Sequence, residues 1–173
     1  MDDSYIDSVL SGDTESFRYF IRTYQDMAFN LAVSIVKDDH YAEEVVQDAF
    51  MKAVNGLSSF KRTAKFKSWF YRIVVNESFQ RLKKMKRQQL SFGSEEMINV
   101  SDESVEHGDG YWANQISIAL KILPPKESIV LNLFYLEENS LKEVSDITGW
   151  SLSNVKVLLH RARKNLRSFL ETN

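Results

Sequence analysis

Apolar residues recur every three or four positions along most of the chain, which is the spacing of amphipathic α-helices. Two helices are expected in residues 1–37, separated by Gly12 and Asp13. Two more are expected in residues 116–136, on either side of Pro124 and Pro125. The clearest stripe lies in residues 40–56, and its apolar members are Ala42, Val45, Val46, Ala49, Phe50, Ala53 and Val54. The pattern predicts an all-α fold.

The helical period disappears between Gln88 and about Gln115. Ser, Gly, Asp and Glu are abundant there, and residues 88–115 contain six acidic residues and no basic one. Such composition favours a flexible acidic linker. We therefore predict two small helical domains, residues 1–90 and 114–173, joined by a linker over residues 91–113.

A helix-turn-helix is predicted within residues 140–167. Gly149 allows a sharp turn between two short apolar stripes, although an αα-hairpin of no particular function would show the same spacing. Charge favours duplex DNA binding, because no acidic residue lies between Ser151 and Leu170. The basic residues of the second helix are Lys156, Arg161, Arg163, Lys164 and Arg167.

Basic and aromatic residues are interleaved most densely in residues 60–87. The net charge there is +9, in a chain whose total is -2, so the segment needs a polyanionic partner. Its aromatic rings could hold unstacked bases or could simply be core. We expect Trp69, Phe70 and Ile73 to be core. We expect nucleic-acid contacts from Tyr71, Arg72 and Asn76.

The outer face of the predicted helix 40–56 is acidic and carries Glu43, Glu44, Gln47 and Asp48, followed by Met51. Such a face could be a solvated surface or a docking site for a basic partner helix. Periodicity leaves both interpretations open.

Composition limits the kinds of functional site that the chain can form. The absence of Cys excludes disulfides and thiolate metal sites, and His40, His107 and His160 are too scattered to suggest a metal centre. We find no catalytic constellation and no Gly-rich phosphate loop, so we expect neither catalytic residues nor a cofactor. No apolar run approaches the roughly 20 residues of a membrane span. With an acidic N-terminus, the protein is expected to be cytoplasmic, without membrane insertion.

Three segments, in this order, resemble those of a bacterial sigma factor of the extracytoplasmic-function group, within the sigma-70 superfamily. AEEVVQDAFMKAV (42–54) is similar to the family's core-polymerase-binding helix, and FKSWFYRIVVN (66–76) to its promoter-melting segment. SLKEVSDITGWSLSNVKVLLHRARKNLR (140–167) is similar to its C-terminal helix-turn-helix. The resemblance implies a protein that binds core RNA polymerase and directs promoter-specific initiation.

The resemblance also implies roles for individual residues. Glu44, Gln47 and Asp48 match contacts to the coiled coil of the polymerase β′ subunit, and the β flap is a second expected partner. Tyr71 and Asn76 match a pocket for a base flipped out of the -10 element. The other residues expected to guide -10 DNA are Lys61, Arg62, Lys65, Lys67 and Arg72. Residues expected at the -35 element are Ser153, Asn154, Lys156, Val157, His160, Arg161, Arg163, Lys164 and Arg167.

An anti-sigma protein is a further partner implied by the resemblance. Two other classes of protein remain as alternatives. A helix-turn-helix regulator would act without core polymerase and use residues 1–87 as a sensor or dimerisation module. A structural protein would use the basic stretch for nonspecific polyanion binding. The aromatic residues near Trp69 argue against both, and a polymerase pull-down would separate the three.

Overall fold

The structure is a computed structural model that describes residues 1–92, 118 and 120–172. Within those residues the chain forms helices and turns and no strand, which confirms the predicted all-α class. Most of the predicted linker, together with His107, lies outside the described residues. The last helix before the predicted linker continues to Phe92. Residues 88–92 are therefore helical, although the acidic segment was expected to start at Gln88.

The N-terminal domain is built around three long helices that pack against one another. Asp38 fixes the start of the second of these long helices, since its side chain accepts a hydrogen bond from the backbone N–H of Tyr41 at 2.9 Å. The helices are α1 (Asp2–Leu10), α2 (Arg18–Val36), α3 (Asp39–Gly56) and α4 (Phe66–Phe92), with short 3₁₀ turns at Thr14–Phe17 and Leu57–Ser59.

Aromatic rings fill the centre of this domain. The Phe20 and Phe66 ring centroids are 4.2 Å apart, and those of Phe50 and Phe70 are 4.6 Å apart. Phe70 is fully buried, whereas Trp69 and Ile73 are partly buried against the core. The aromatic residues of the basic segment thus supply much of the packing that holds α4 on α2 and α3.

The C-terminal domain contains α5 (Pro125–Leu131), a π turn (Asn132–Leu136), α6 (Leu141–Thr148) and α7 (Leu152–Thr172). Pro125 occupies the first turn of α5, where its missing N–H costs nothing. Ser140 and Glu143 form a reciprocal capping box at the start of α6. Their two bonds measure 2.8 and 3.2 Å.

The two domains lie against each other. Helix α5 packs on α2, and α6 packs on α4, so that buried residues of both domains form one continuous apolar cluster. At the edges of this contact, the ring of Phe79 meets that of Trp150 at 5.9 Å. Lys37 donates a hydrogen bond to the carbonyl of Leu120. The surface of α4 is consequently divided between solvent, its own domain and the C-terminal domain.

No helix in the described part of the chain combines the length and the apolarity that crossing a membrane requires.

Candidate nucleic-acid interface

The helix-turn-helix is held rigidly by the turn between α6 and α7. Gly149 ends α6 in the left-handed region, at a φ of 74°, which a residue with a Cβ adopts only at a cost. Ser145 then donates from Oγ to the carbonyl of Trp150 at 2.6 Å. Val144 and Ile147 of α6 and Val155 of α7 are buried. These contacts fix the angle at which α7 leaves the domain.

All nine residues predicted to contact the -35 element lie on the exposed surface of α7. Ser151 stabilises the helix start, where its Oγ accepts the N–H of Asn154 at 3.2 Å. Val157 is 48% exposed although it is apolar. An exposed methyl-bearing side chain between basic residues is suited to contact a thymine methyl in the major groove.

The basic residues of α7 fall into two groups by their surroundings. Arg163 donates from Nε to the hydroxyl of Tyr135 at 2.7 Å and stacks its guanidinium over that ring. Arg167 pairs with Glu171 at 2.7 Å. Lys156 and Arg161, in contrast, form no hydrogen bond or ion pair with any described residue. Lys164 has no such partner either, so these three basic groups are the ones free to reach a ligand.

The loop before α4 carries exposed Lys61, Arg62 and Lys65. Arg62 adopts a left-handed conformation, with a φ of 56°, and its guanidinium pairs with the carboxylate of Asp7 on α1. The hydrogen bond from Arg62 holds the pKa of Asp7 below its usual range. The acidic partner from α1 was not anticipated from the sequence. It ties the basic loop to the first helix.

Farther along α4, Arg72 and Asn76 are exposed and lie one helical turn apart, as their spacing predicts. They leave a continuous polar strip on the outer side of α4. Together with the basic loop, this strip offers phosphate-binding cations beside a side-chain amide that can pair with a base edge.

Tyr71 does not share that exposed strip. It is fully buried, its hydroxyl donates to the carboxylate of Glu137, and the same oxygen lies 3.4 Å from Sδ of Met27. Burial, together with the bond to Glu137, raises the pKa of the phenol. The expectation of an available stacking face on Tyr71 is thus not met in this arrangement, because the C-terminal domain covers it.

Lys67 is engaged by the same carboxylate. Its Nζ lies 3.1 Å from Oε2 of Glu137 and 5.3 Å from the centre of the Tyr71 ring. Sequence reasoning gave Glu137 no role, since nothing local marks it. Only the packing of α6 on α4 brings it to these two residues.

On α3, Gln47 and Asp48 are exposed, and Met51 is 62% exposed beside them. Glu44 is partly buried because its carboxylate pairs with Arg81 of α4, and it also lies 3.4 Å from Nε2 of His40. Two of the three residues predicted to bind polymerase are therefore free for a partner, while Glu44 also braces α3 against α4.

Metal binding finds no support among the described residues, where no group of His, Asp and Glu side chains is suitably clustered.

Two family models match the chain, and their ranges correspond to the two domains. The model described as Sigma-70 region 2 matches residues 20–88, which include most of α2, all of α3 and most of α4. The model described as Sigma-70, region 4 matches residues 114–166, which include the helix-turn-helix.

Curated relatives match over nearly the full length. The chain is 29% identical to the ECF RNA polymerase sigma factor SigW of Bacillus subtilis, across 95% of this chain and 94% of that protein. It is 31% identical to the RNA polymerase sigma factor SigV of the same organism, across 80% and 81% of the two chains.

Solved structures resemble the fold of both domains together. The sigma factor RpoE in complex with the anti-sigma factor NepR from Bartonella quintana has a TM-score of 0.77 at 24% identity, covering 92% of this chain and 99% of RpoE. CnrH in complex with the cytosolic domain of CnrY has a TM-score of 0.67 at 20% identity, covering 98% and 96% of the two chains.

Proposed function

Because this chain belongs to the extracytoplasmic-function group of the sigma-70 family, we propose that its two domains divide promoter recognition between them. The protein is a sigma factor, which binds core RNA polymerase and directs promoter-specific initiation of transcription. The domain of residues 1–90 recognises and melts the -10 element, and the domain of residues 114–173 recognises the -35 element. The proposal covers this division of labour and the residues that perform it.

The helix-turn-helix supports the proposed recognition of the -35 element. An α-helix is about 10–12 Å across with its side chains, which matches the width of about 12 Å of the major groove. Lys156, His160 and Arg161 would read base edges from the exposed side of α7. The residues with protein partners, Arg163 and Arg167, would mainly meet phosphates together with Lys164.

The -10 element binds a surface of the N-terminal domain, which we call the -10 surface. Its exposed cations hold the displaced backbone, and Asn76 hydrogen-bonds an unpaired base edge. Tyr71 would stack on that base once the C-terminal domain has moved away. The -10 surface consists of Lys61, Arg62, Lys65, Lys67, Tyr71, Arg72 and Asn76.

Core polymerase binds the outer face of α3. Exposed Gln47, Asp48 and Met51, beside Glu44, combine negative charge with an apolar side chain, as suits docking on a basic coiled coil. The β′ coiled coil is the proposed partner there, and the β flap is the proposed partner of the C-terminal domain. An anti-sigma protein is a further proposed partner, in line with the complex of RpoE with the anti-sigma factor NepR. The proposal gives the protein no catalytic residue and no cofactor, and places it in the cytoplasm with polymerase.

Transcription in vitro tests the proposal directly. Core polymerase with this protein should produce discrete 5′ ends on fragmented genomic DNA, and core polymerase alone should not. Aligning those start sites gives the promoter. Replacing both Gln47 and Asp48 with Lys should abolish co-purification with core polymerase.

A matched variant separates specific from general effects. Arg161→Ala should cost about 1–3 kcal/mol and relax preference at one base pair of the -35 element. Arg167→Ala should weaken all promoters alike, and Arg22→Ala, an exposed change on α2, should leave initiation unchanged. Equal and uniform losses for Arg161→Ala and Arg167→Ala would contradict the assignment of base-reading residues. Sequence-specific binding to duplex DNA without any association with polymerase would favour a regulator that acts alone.

A further inference from the structure

Two residues of the -10 surface, Lys67 and Tyr71, share one partner within the chain itself. Both contact the carboxylate of Glu137, which belongs to the other domain. The Glu137 side chain is only 11% exposed, so this contact is sheltered from solvent. A carboxylate that accepts a hydrogen bond from a hydroxyl group and lies beside an ammonium group makes charge-assisted contacts, which are stronger than hydrogen bonds between neutral groups.

The segment that presents Glu137 has a defined shape. The backbone N–H of Glu137 donates to the carbonyl of Asn132 at 3.1 Å, which closes the π turn. Asn139 donates to the carbonyl of Leu133 through both its backbone N–H and its side chain, each at 3.0 Å. Glu138 between them has a φ of 53°. These bonds hold the Glu137 side chain towards α4 while that of Glu138 faces solvent.

The chemistry of the contact matches that of a nucleic-acid strand. Lys67 would otherwise neutralise a phosphate, and a carboxylate is an anion that competes for the same ammonium group. Tyr71 would otherwise offer its ring to a base, but burial removes that ring from any ligand. Glu137 and a displaced DNA strand therefore cannot occupy this part of the surface together.

We propose that Glu137 is an intramolecular latch, which holds the C-terminal domain closed over Lys67 and Tyr71 until the two domains separate. The role of the covered surface in DNA binding rests on the proposed function, whereas the closure of the two domains does not. Other polar contacts cross the same boundary, among them the Lys121–Asp39 pair at 3.6 Å and the bond from Lys37 to the Leu120 carbonyl. When the boundary opens, water can form the hydrogen bonds that these polar groups lose, whereas the apolar cluster shared by both domains opposes the opening.

Nitration of tyrosine by tetranitromethane measures the closure on the protein alone. Mass spectrometry of peptides gives the rate at Tyr71, with exposed Tyr135 as the reactive reference and buried Tyr24 as the reference for the folded core. In the wild-type protein Tyr71 should react at least tenfold more slowly than Tyr135. Glu137→Ala should raise the Tyr71 rate at least fivefold and leave Tyr24 protected. Glu138→Ala, an exposed neighbour of the same charge, should change it less than twofold.

Two results would overturn the latch: a wild-type Tyr71 that reacts as fast as Tyr135, or a Tyr71 in Glu137→Ala that stays as slow as in the wild type. If Tyr24 also becomes reactive in Glu137→Ala, the N-terminal domain has lost its fold. In that case the nitration rate of Tyr71 is measured in Glu137→Gln and judged by the same criteria. The amide of this variant can still accept a hydrogen bond from the Tyr71 hydroxyl, but the negative charge that faces Lys67 is gone.

The assay contains neither DNA nor polymerase, so the latch and the proposed function can fail separately. Promoter-specific transcription with an unresponsive Tyr71 would reject the latch alone. A responsive Tyr71 in a protein that starts no transcription would keep the latch and reject the role given to the surface beneath it.

Discussion

Replacing Lys37 with Met should remove most of a pH dependence that the domain contact creates. Lys37 lies at the end of α2, where its ammonium group donates to the Leu120 carbonyl, and burial lowers its pKa to about 7 from 10.5. In the unfolded chain the group keeps its ordinary pKa. Between those two values the unfolded state binds more protons, so the free energy of unfolding rises with pH.

The size of the effect follows from the two pKa values. From pH 7 to pH 9, the linkage amounts to about 2 kcal/mol of added stability from Lys37 alone. Below pH 7 the contribution levels off at its lowest value. The range stops at pH 9 because Tyr24 and Tyr71, whose pKa values burial raises, would oppose the trend above their ordinary pKa of 10.0.

Urea unfolding at constant ionic strength, followed by circular dichroism at pH 7, 8 and 9, measures this. The quantity to compare is the increase in the free energy of unfolding from pH 7 to pH 9 in the wild type, minus the same increase in Lys37→Met. This difference removes the contributions of the other titrating groups, because both proteins share them. Methionine keeps the length of the side chain and is no more strained than lysine at the left-handed φ of 63°. Lys142→Met, at an exposed position of α6, should retain the full gain. Parallel curves for wild type and Lys37→Met would refute the reasoning.

Three further changes test how the fold supports the site. Ser140→Ala removes the capping box of α6 and should cost about 1 kcal/mol, read as a lower urea midpoint, while Ser58→Ala in the exposed 3₁₀ turn should cost much less. Gly149→Ala meets no atom within 4 Å, so its expected cost of about 1–2 kcal/mol comes from the left-handed φ; a stability equal to wild type would contradict that. Phe70→Ala empties a fully buried site and should cost about 3–5 kcal/mol in thermal or urea unfolding, and a loss below 1 kcal/mol would mean that the aromatic centre repacks.

Local pattern was sufficient for most helices and for the second DNA-binding element. The predicted helix at 40–56 is found at Asp39–Gly56, because its apolar stripe, its capping Asp38 and its terminal Gly56 all act within a few residues. The helix-turn-helix was likewise predictable, since Gly149 and the apolar stripes around it specify the turn locally. The exposure of the basic residues on α7 follows from the same stripe.

Helix α4 shows where local pattern was insufficient. Phe70 and Tyr71 are adjacent, as are Val74 and Val75 one turn later, and all four are buried. Consecutive residues on a helix point about 100° apart, so such doublets form a stripe wide enough for two neighbours. The width of this stripe predicts that Tyr71 is covered, but it does not identify the residues that cover it.

What the sequence by itself determined was therefore the set of helices, the separation of charge and the helix-turn-helix, all of which depend on residues close together in the chain. Tertiary structure alone decided the contacts between distant residues: Glu137 on Lys67 and Tyr71, Asp7 on Arg62, and Arg81 on Glu44. Each is a pair of charged or polar side chains whose meeting depends on how whole helices pack. No spacing rule within a helix specifies which acid on another element a base will meet, because that choice follows from the burial of apolar faces on both.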